Sequence, residues 1–402
     1  RPGAQTRGSY PHPPPGSPMK RRRFLAGLGT GALASVGGLA GCQAPVADAE
    51  TIRRPGLPAR GGATLPVPES QLTVGTSRDA IAAITDPVFA PDWDGVSIDT
   101  YGPNGYTLTI EPRLEDDEPV IGVARDGDAR AYPLRVLRFH EVVNDEFDLP
   151  VIVTYCPLCR SAIVAERRVR GMPTVFGVSG LLWHSDLVMY DDRTDSLWSQ
   201  VAATAIRGPM TGTHLDLLPA TMTSLGTWRE SHPDTTVLRP APESDTVVGE
   251  VSPNYIVNPY AGQDTYPGIG LGDNELEDDR LDAKTIVLGV SHDGVAMAYP
   301  KPRLLAADVV NDTVSGLPVV VTADASENLH AYERRVDGRP LQFEAAGPRH
   351  LRAGGSRWAR ASGRAVDGPY SGHTLARAIR TSSMFWFAWS DFNPETGIYE
   401  AG

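Results

Sequence analysis

The fold is decided by a stretch that occurs twice in the chain. Residues 119–154 read PVIGVARDGDARAYPLRVLRFHEVVNDEFDLPVIVT, and residues 285–322 read TIVLGVSHDGVAMAYPKPRLLAADVVNDTVSGLPVVVT. Both contain an Asp-Gly turn, then Ala-Tyr-Pro, then Val-Val-Asn-Asp. The similarity continues downstream, where ERRVRGMPTVF at 166–176 returns as ERRVDGRPLQF at 333–343. A repeat of this length indicates two copies of one structural unit.

The repeat also sets the predicted domain organisation. We assign the first copy to residues 76–250 and the second copy to residues 283–402, joined by a polar linker at 251–282. The second copy is shorter than the first between Phe343 and Trp358, so we describe it as degenerate. Residues 43–75 are rich in Pro, Ala and Gly, a composition typical of a flexible tether.

Hairpin signals dominate each copy. The segment VIGVARDGDARAY at 120–132 alternates apolar and polar residues around a two-residue Asp-Gly turn, and residues 162–178 and 181–200 are interpreted as further hairpins. Helical spacing is confined to 134–147 and 221–233. These patterns predict an α+β protein, mainly antiparallel β, in which each copy forms a barrel-like or sandwich-like unit.

The start of the chain carries an export pattern. MKRRRFLAGLGTGALASVGGLAGC at 19–42 has an arginine-rich head, a weakly apolar run and a terminal Leu-Ala-Gly-Cys. This pattern resembles a twin-arginine signal peptide ending in a lipobox. It predicts that residues 1–42 are a leader and signal, that Cys42 is lipidated, and that the protein is exported and anchored to the outer face of the cytoplasmic membrane.

The amino-acid composition limits the classes of partner that the protein can bind. The net charge is −12, and the body contains no basic run, so we expect no nucleic-acid partner. The sequence of the body contains no Ser-His-acid arrangement, phosphate-binding loop or haem-attachment motif. The sequence therefore assigns neither a reaction nor a protein partner.

A comparison of the two copies separates structural from functional candidates. Positions shared by both copies are expected to serve the fold, and polar positions found in only one copy are candidates for chemistry. Asn144 and Asp145 recur as Asn311 and Asp312, which indicates a structural role. Chemically active side chains that the second copy lacks or replaces are His140, Cys156, Cys159, His184 and Met189.

These residues suggest a metal site. Two cysteines in Cys-x-x-Cys spacing, together with imidazoles, favour copper or zinc over magnesium or calcium. We predict His140, Cys156, Cys159 and His184 as ligands, with copper preferred. The residues expected to support these ligands are Glu141, Asn144 and Asp145.

Other interpretations of the cysteine pair stay open: a thiol-disulfide oxidoreductase, an inert disulfide, or a non-catalytic binding or scaffold module. The pair is predicted to lie in a loop between strands, without the helix N-terminus that lowers the pKa of a catalytic thiol. A disulfide closing so short a loop would add little stability.

The same residues carry a family resemblance. Residues 117–159, ending in TYCPLC, and residues 176–200 resemble the domain of unknown function 3179 family, and the resemblance extends over about residues 84–400. It implies an exported protein without an assigned activity. It also implies that the following residues occupy signature positions: His140, Glu141, Asn144, Asp145, Cys156, Pro157 and Cys159.

Overall fold

Alternating apolar residues around Asp-Gly turns form the hairpins of the fold. The structure is a computed structural model that describes residues 64–102, 105–248, 253–271, 276–379 and 381–400. Strand Pro119–Arg125 pairs antiparallel with Asp128–Pro133, and Ile286–His292 pairs in the same way with Val295–Pro300. Both central residues of each turn have positive φ, the geometry that matches the twist of the flanking strands.

The described strands form six sheets of three to five strands, arranged as a six-bladed β-propeller. The predicted fold class, an α+β protein of two tandem barrel-like or sandwich-like units, is therefore wrong. Each copy contributes three small sheets instead of one closed unit. A small sheet cannot enclose a core by itself, so its apolar face packs against neighbouring sheets.

Three blades contain the strands of the first copy, and segments before residue 119 add strands to each. Blade 1 consists of Thr221–Ser224, Pro119–Arg125, Asp128–Pro133, Thr236–Leu238 and Phe89–Ala90. Blade 2 consists of Ser161–Glu166, Pro150–Cys156, Val142–Glu146, Ile84–Asp86 and Asp245–Thr246. Blade 3 consists of Thr73–Val74, Phe176–Trp183, Asp186–Asp191, Leu197–Ser199 and Thr204–Arg207.

Three further blades contain the strands of the second copy. Blade 4 consists of Met384–Phe385, Ile286–His292, Val295–Pro300 and Gly397–Ile398. Blade 5 consists of Val309–Val314, Leu317–Ala323 and Leu329–Glu333. Blade 6 consists of Glu344–Ala345, His350–Ala353 and Ser356–Ala359.

The remaining secondary structure of the described residues consists of short hairpins and helices. The two-stranded hairpins are Arg168–Val169 with Met172–Pro173, Arg335–Val336 with Arg339–Pro340, and Ile98–Tyr101 with Thr107–Ile110. The helices are α1 (Leu134–His140), α2 (Leu225–Ser231), α3 (Lys301–Ala307) and α4 (Trp386–Phe392), and a 3-10 turn covers Glu69–Gln71.

In each copy, a helix near the end of the copy packs a tryptophan on that copy's first blade. Trp228 of α2 packs on Gly122, where an added Cβ would lie 2.4 Å from the indole ring. Trp389 of α4 packs on Gly289 in the same way, at 2.0 Å. A glycine on the strand is therefore required for the returning helix to dock against its blade.

The copies contact each other directly. Ala162 of blade 2 donates its N–H to Ser382 Oγ at 2.7 Å and accepts a bond from Ser382 N at 3.0 Å. Phe385 N donates to Cys159 O at 3.0 Å. The hairpin that contains both cysteines is thus hydrogen-bonded to the second copy.

Parts of the predicted tether and linker pack on the body. Val67 is fully buried, and Thr73–Val74 pairs with Leu181 and Leu182 of blade 3. Residues 253–271, here called the cover segment, place Tyr255 in the core beside blade 2. The predicted signal peptide, the lipidation site Cys42 and the tether up to residue 63 lie outside the described residues.

Among the described residues, no helix combines the length and the apolar character needed to cross a bilayer.

Candidate metal centre

The two cysteines lie in the hairpin of blade 2 that connects Pro150–Cys156 with Ser161–Glu166. Cys156 ends one strand and is paired with Ser161, which begins the next. Both side chains are buried and neither forms a disulfide. Their thiols converge on one acceptor, the carbonyl oxygen of Ser185, at 3.9 Å from Cys156 Sγ and 3.2 Å from Cys159 Sγ.

That carbonyl belongs to a tight turn in blade 3. Trp183 pairs directly with Asp186, so His184 and Ser185 form a two-residue loop with φ of 51° and 60°. Asn and Gly usually occupy these positions, because most side chains cost about 1–2 kcal/mol in the left-handed region. The constrained turn presents the Ser185 carbonyl and the Asp186 carboxyl to the thiols.

Asp186 completes a group of three potential ligands. One carboxylate oxygen and the two sulfurs all lie within 4.8 Å of one another. Asp186 is fully buried, and its Oδ2 accepts bonds from Ser199 Oγ at 2.9 Å and Val201 N at 3.0 Å. Its Oδ1 has no hydrogen-bond partner among the described residues. A buried carboxylate oxygen without a donor requires an explanation.

A second carboxyl lies beside Asp186. Glu141 follows α1 with φ of 57°, and its side chain is buried. Burial raises the pKa of Glu141 to about 8, the charge of Asp186 adds to the rise, and a hydrogen bond from Tyr260 of the cover segment opposes it. Burial also raises the pKa of Asp186 to about 7.

The Cys159 thiol also favours its protonated form. Burial raises the pKa of the Cys159 thiol well above its ordinary value, and the neighbouring Cys156, Asp186 and Asp391 act in the same direction. The group therefore retains protons at neutral pH. A cation bound among these donors would replace those protons, because metal ligands must be deprotonated.

Lys284 is a fixed positive charge near Cys159. Its pKa is lowered by burial and raised by Asp264 and Cys159. The ammonium donates to the carbonyl of Gln263 at 3.2 Å and lies 4.9 Å from the centre of the Phe385 ring. These contacts direct its bonding toward the cover segment and blade 4.

His140 lies at the end of α1 and is not part of the three-ligand group. Its Nδ1 is 2.7 Å from Ala82 O, and its Nε2 is 2.7 Å from Tyr255 OH. Because a carbonyl can only accept, Nδ1 carries the proton and Nε2 accepts from the tyrosine. Burial lowers the pKa of His140 to about 4. The neutral ring therefore has no lone pair left for an ion in this arrangement, and the structure does not bring it to the thiols.

His184 is adjacent to the group but not one of its three members. Its Nδ1 is 3.7 Å from Asp391 Oδ2, and its ring packs against Trp183 and Phe392. Met189 is fully buried among apolar side chains of the core.

The shared residues Asn144 and Asp145 have scaffold contacts. Asn144 donates to Phe176 O and accepts from Phe176 N, and Asn311 makes the same two bonds to Phe343. Asp145 accepts from Tyr132, as Asp312 accepts from Tyr299. These contacts are the same in both copies, as expected for residues that serve the fold.

Sequence reasoning missed Asp186 and Tyr260. Asp186 lies in the segment that the second copy lacks, so the comparison of copies already pointed to it. The predicted ligand was His184, two residues earlier in the same hairpin, because thiolates together with imidazole favour copper or zinc. No repeat counterpart was available for Tyr260, because it lies in the segment interpreted as a linker.

The equivalent place in the second copy contains a buried cation. Trp198 pairs with Met189 and Trp358 pairs with Leu351, so Arg360 occupies the position of Gln200, two residues after each tryptophan. By strand register, Glu141 of the first copy is equivalent to Asp308 of the second copy, and Thr154 is equivalent to Thr322.

Arg360 neutralises the acidic residue of its own copy. Its guanidinium is 2% exposed and donates to Asp308 Oδ1 at 2.6 Å and Thr322 Oγ1 at 2.6 Å. Gln200 reaches Thr154 Oγ1 at 3.1 Å, but its amide is neutral. Asp308 is 55% exposed, whereas Glu141 is buried, so the first copy has a buried acid at this place and lacks the arginine.

A buried pair of thiols from one propeller blade, beside a carboxylate with an unpartnered oxygen from another blade, defines a protein with a candidate metal centre. The family model described as protein of unknown function (DUF3179) matches residues 78–396, and the chain belongs to this family. No curated protein and no solved structure matches the chain.

Proposed function

We propose that this protein binds one thiophilic metal ion through Cys156 Sγ, Cys159 Sγ and Asp186 Oδ1. The observation that carries the proposal is the buried Asp186 carboxylate: one of its oxygens lies within 4.8 Å of both sulfurs, and its Oδ1 has no hydrogen-bond donor among the described residues. Two thiolates and a carboxylate suit zinc, whereas Cu⁺ prefers sulfur and imidazole to a hard oxygen. We therefore favour zinc over the copper that the sequence suggested.

The two buried carboxyls of the site support the binding of a cation. Asp186 and Glu141 are both buried carboxyls whose pKa values are raised, mainly by burial. Buried charge is stable when it is paired: in the second copy the buried Arg360 pairs with the exposed Asp308. We assign the corresponding role in the first copy to the metal ion, with Glu141 next to the ligands and oriented by Tyr260.

The oxidoreductase alternative has less support. A reactive thiol is exposed and has a lowered pKa, whereas Cys159 is fully buried and its pKa is raised. Cys156 ends a strand and so lacks the helix dipole that activates a catalytic cysteine.

The test is the metal content of the purified protein and four variants, measured by inductively coupled plasma mass spectrometry. We expect about one zinc per chain in the wild type, and loss of the metal in Cys159→Ser and Asp186→Asn. Gln200→Arg is the sharpest variant, because it places in the first copy the guanidinium that the second copy already uses. It should remove the metal while preserving the circular dichroism spectrum.

The matched control for these variants is Asp312→Asn, which changes a carboxylate of the second copy that accepts from Tyr299. It should leave the metal content unchanged. Full metal content in Gln200→Arg or in Cys159→Ser would contradict the proposed centre.

For the location of the protein, we propose export and lipid anchoring at Cys42 on the outer face of the cytoplasmic membrane, without a nucleic-acid partner. The support is the twin-arginine pattern and the Leu-Ala-Gly-Cys that ends at Cys42. Twin-arginine export carries folded proteins, which allows the ion to be loaded before export. Replacing Cys42 by alanine should move the protein from the membrane fraction to the soluble fraction; unchanged fractionation would argue against the anchor.

A further inference from the structure

The proposed centre is shielded from solvent. Cys159 and Asp186 are 0% exposed and Cys156 is 1% exposed. Ser185, whose carbonyl contacts both thiols, is only half-buried. The turn formed by His184 and Ser185 therefore connects solvent to the sulfurs.

A second donor pair lies on this turn. The His184 side chain is 34% exposed, and its Nδ1 is 3.7 Å from Asp391 Oδ2, with the Asp391 side chain 15% exposed. The charge of Asp391 also contributes to the raised pKa of Cys159, so this carboxyl is within electrostatic range of that thiol. The pair belongs to both copies, since His184 is in blade 3 and Asp391 is in α4.

The charges around the pair favour a cation. Glu277 and Asp278 add to the effect of burial in raising the pKa of Asp391, which indicates negative potential there. Two cations in this region bond to other groups: Arg280 binds Asp278 at 2.6 Å, and Lys284, near Cys159, donates to the carbonyl of Gln263 at 3.2 Å.

An independent observation points to an ion at the inner end of the same turn. Asp186, two residues after His184, has the buried Oδ1 without a partner among the described residues. One short turn thus contains a half-exposed imidazole, a carbonyl that contacts both thiols and an unpartnered carboxylate oxygen, in that order from solvent inward.

We propose that His184 and Asp391 form an outer, transient cation site through which the metal ion is loaded into the centre at Cys156, Cys159 and Asp186. This inference rests on the proposed function. The ion first exchanges water for the imidazole and the carboxylate, then passes the Ser185 carbonyl to the thiols, which release their protons as they bind it. A site on the route changes the rates of loading and release together and leaves the affinity unchanged.

The experiment follows Co²⁺ uptake by the metal-free protein in a stopped-flow instrument, through the absorbance of the cobalt-thiolate complex. His184→Asn is the main variant, because asparagine tolerates the positive φ of 51° at this position. Asp391→Asn is the second variant and changes the other half of the pair. The matched control is His292→Ala, which removes another histidine beside an aspartate, 3.5 Å from Asp293 Oδ2.

We expect both variants to slow association and dissociation by about tenfold, with the same dissociation constant and the same cobalt spectrum as the wild type. The control should match the wild type. Unchanged rates would overturn the loading route. A changed spectrum with weaker binding would overturn it as well, since His184 would then be a ligand of the centre. A wild type that takes up no Co²⁺ would overturn the proposed function itself.

Discussion

Gln200 and Arg360 show how one side chain separates the two copies. Arginine is always protonated and donates through a rigid fork, so Arg360 compensates Asp308 permanently. At the same position Gln200 provides only a neutral amide. Both residues are visible in the sequence, but the sequence could not show that Arg360 binds Asp308, 52 positions earlier, because that contact depends on how the strands assemble.

His140 gives a prediction about acid stability. Its pKa is about 4 in the folded protein because of burial, against about 6.5 in the unfolded chain. Between these values the unfolded chain binds the extra proton, so the free energy of unfolding decreases as the pH falls from 6.5 to 4. The decrease attributable to His140 approaches about 3 kcal/mol.

The measurement is urea denaturation at pH 7.0, 5.5 and 4.5 for the wild type and for His140→Gln. Glutamine keeps a donor and an acceptor but does not titrate, so the variant should lose less stability on acidification than the wild type. Equal losses in the two proteins would show that the His140 imidazole does not control this pH dependence.

At the scale of elements, the contact between a glycine and a tryptophan recurs in both copies. Trp228 lies over Gly122, and Trp389 lies over Gly289. Each indole also donates to a threonine, Trp228 to Thr235 at 2.8 Å and Trp389 to Thr396 at 2.9 Å. The ring is thereby fixed on its strand and cannot easily make room for a new methyl group.

We therefore predict that Gly122→Ala and Gly289→Ala each destabilise the protein by about 1–3 kcal/mol, the usual cost of overpacking. Thermal or urea unfolding would measure this. Gly127→Ala tests backbone conformation without overpacking. The φ of Gly127 is 90°, but no atom lies within 4 Å of the added Cβ. If Gly122→Ala were as stable as the wild type, the close packing of α2 on blade 1 would be contradicted.

The elements differ in how well the sequence predicts them. The hairpin at 119–133 follows from alternation around Asp-Gly, and it forms as predicted. The helix expected over 134–147 ends at His140, because Val142–Glu146 pairs with Pro150–Cys156. Helical spacing of apolar residues could not exclude this strand, since Val142 and Val143 suit a buried strand equally well.

For the whole molecule, the repeat was visible in the sequence and the propeller was not. A copy of about 120 residues suggests a domain with its own core, whereas three small sheets share cores with their neighbours. Strands that precede the similar stretch, which begins at Pro119, complete the blades, such as Ile84–Asp86 in blade 2. No local pattern predicts such a pairing, because it joins residues about 60 positions apart through a single residue pair.

The whole molecule also explains where the candidate centre lies. Blade 2 provides the thiols, blade 3 provides Asp186, and α4 of the second copy provides Asp391 beside them. Sequence comparison found the cysteines because the second copy lacks them. It could not find the ligand set, because the ligands come from two blades that meet only in the folded chain.

The most direct test of the central claim is X-ray absorption spectroscopy of the purified protein at the zinc edge. We predict a first shell containing two sulfur atoms at about 2.3 Å and oxygen at about 2.0 Å, with the sulfur contribution lost in Cys159→Ser. A first shell of nitrogen and oxygen alone, in a wild type that contains zinc, would contradict coordination by Cys156 and Cys159.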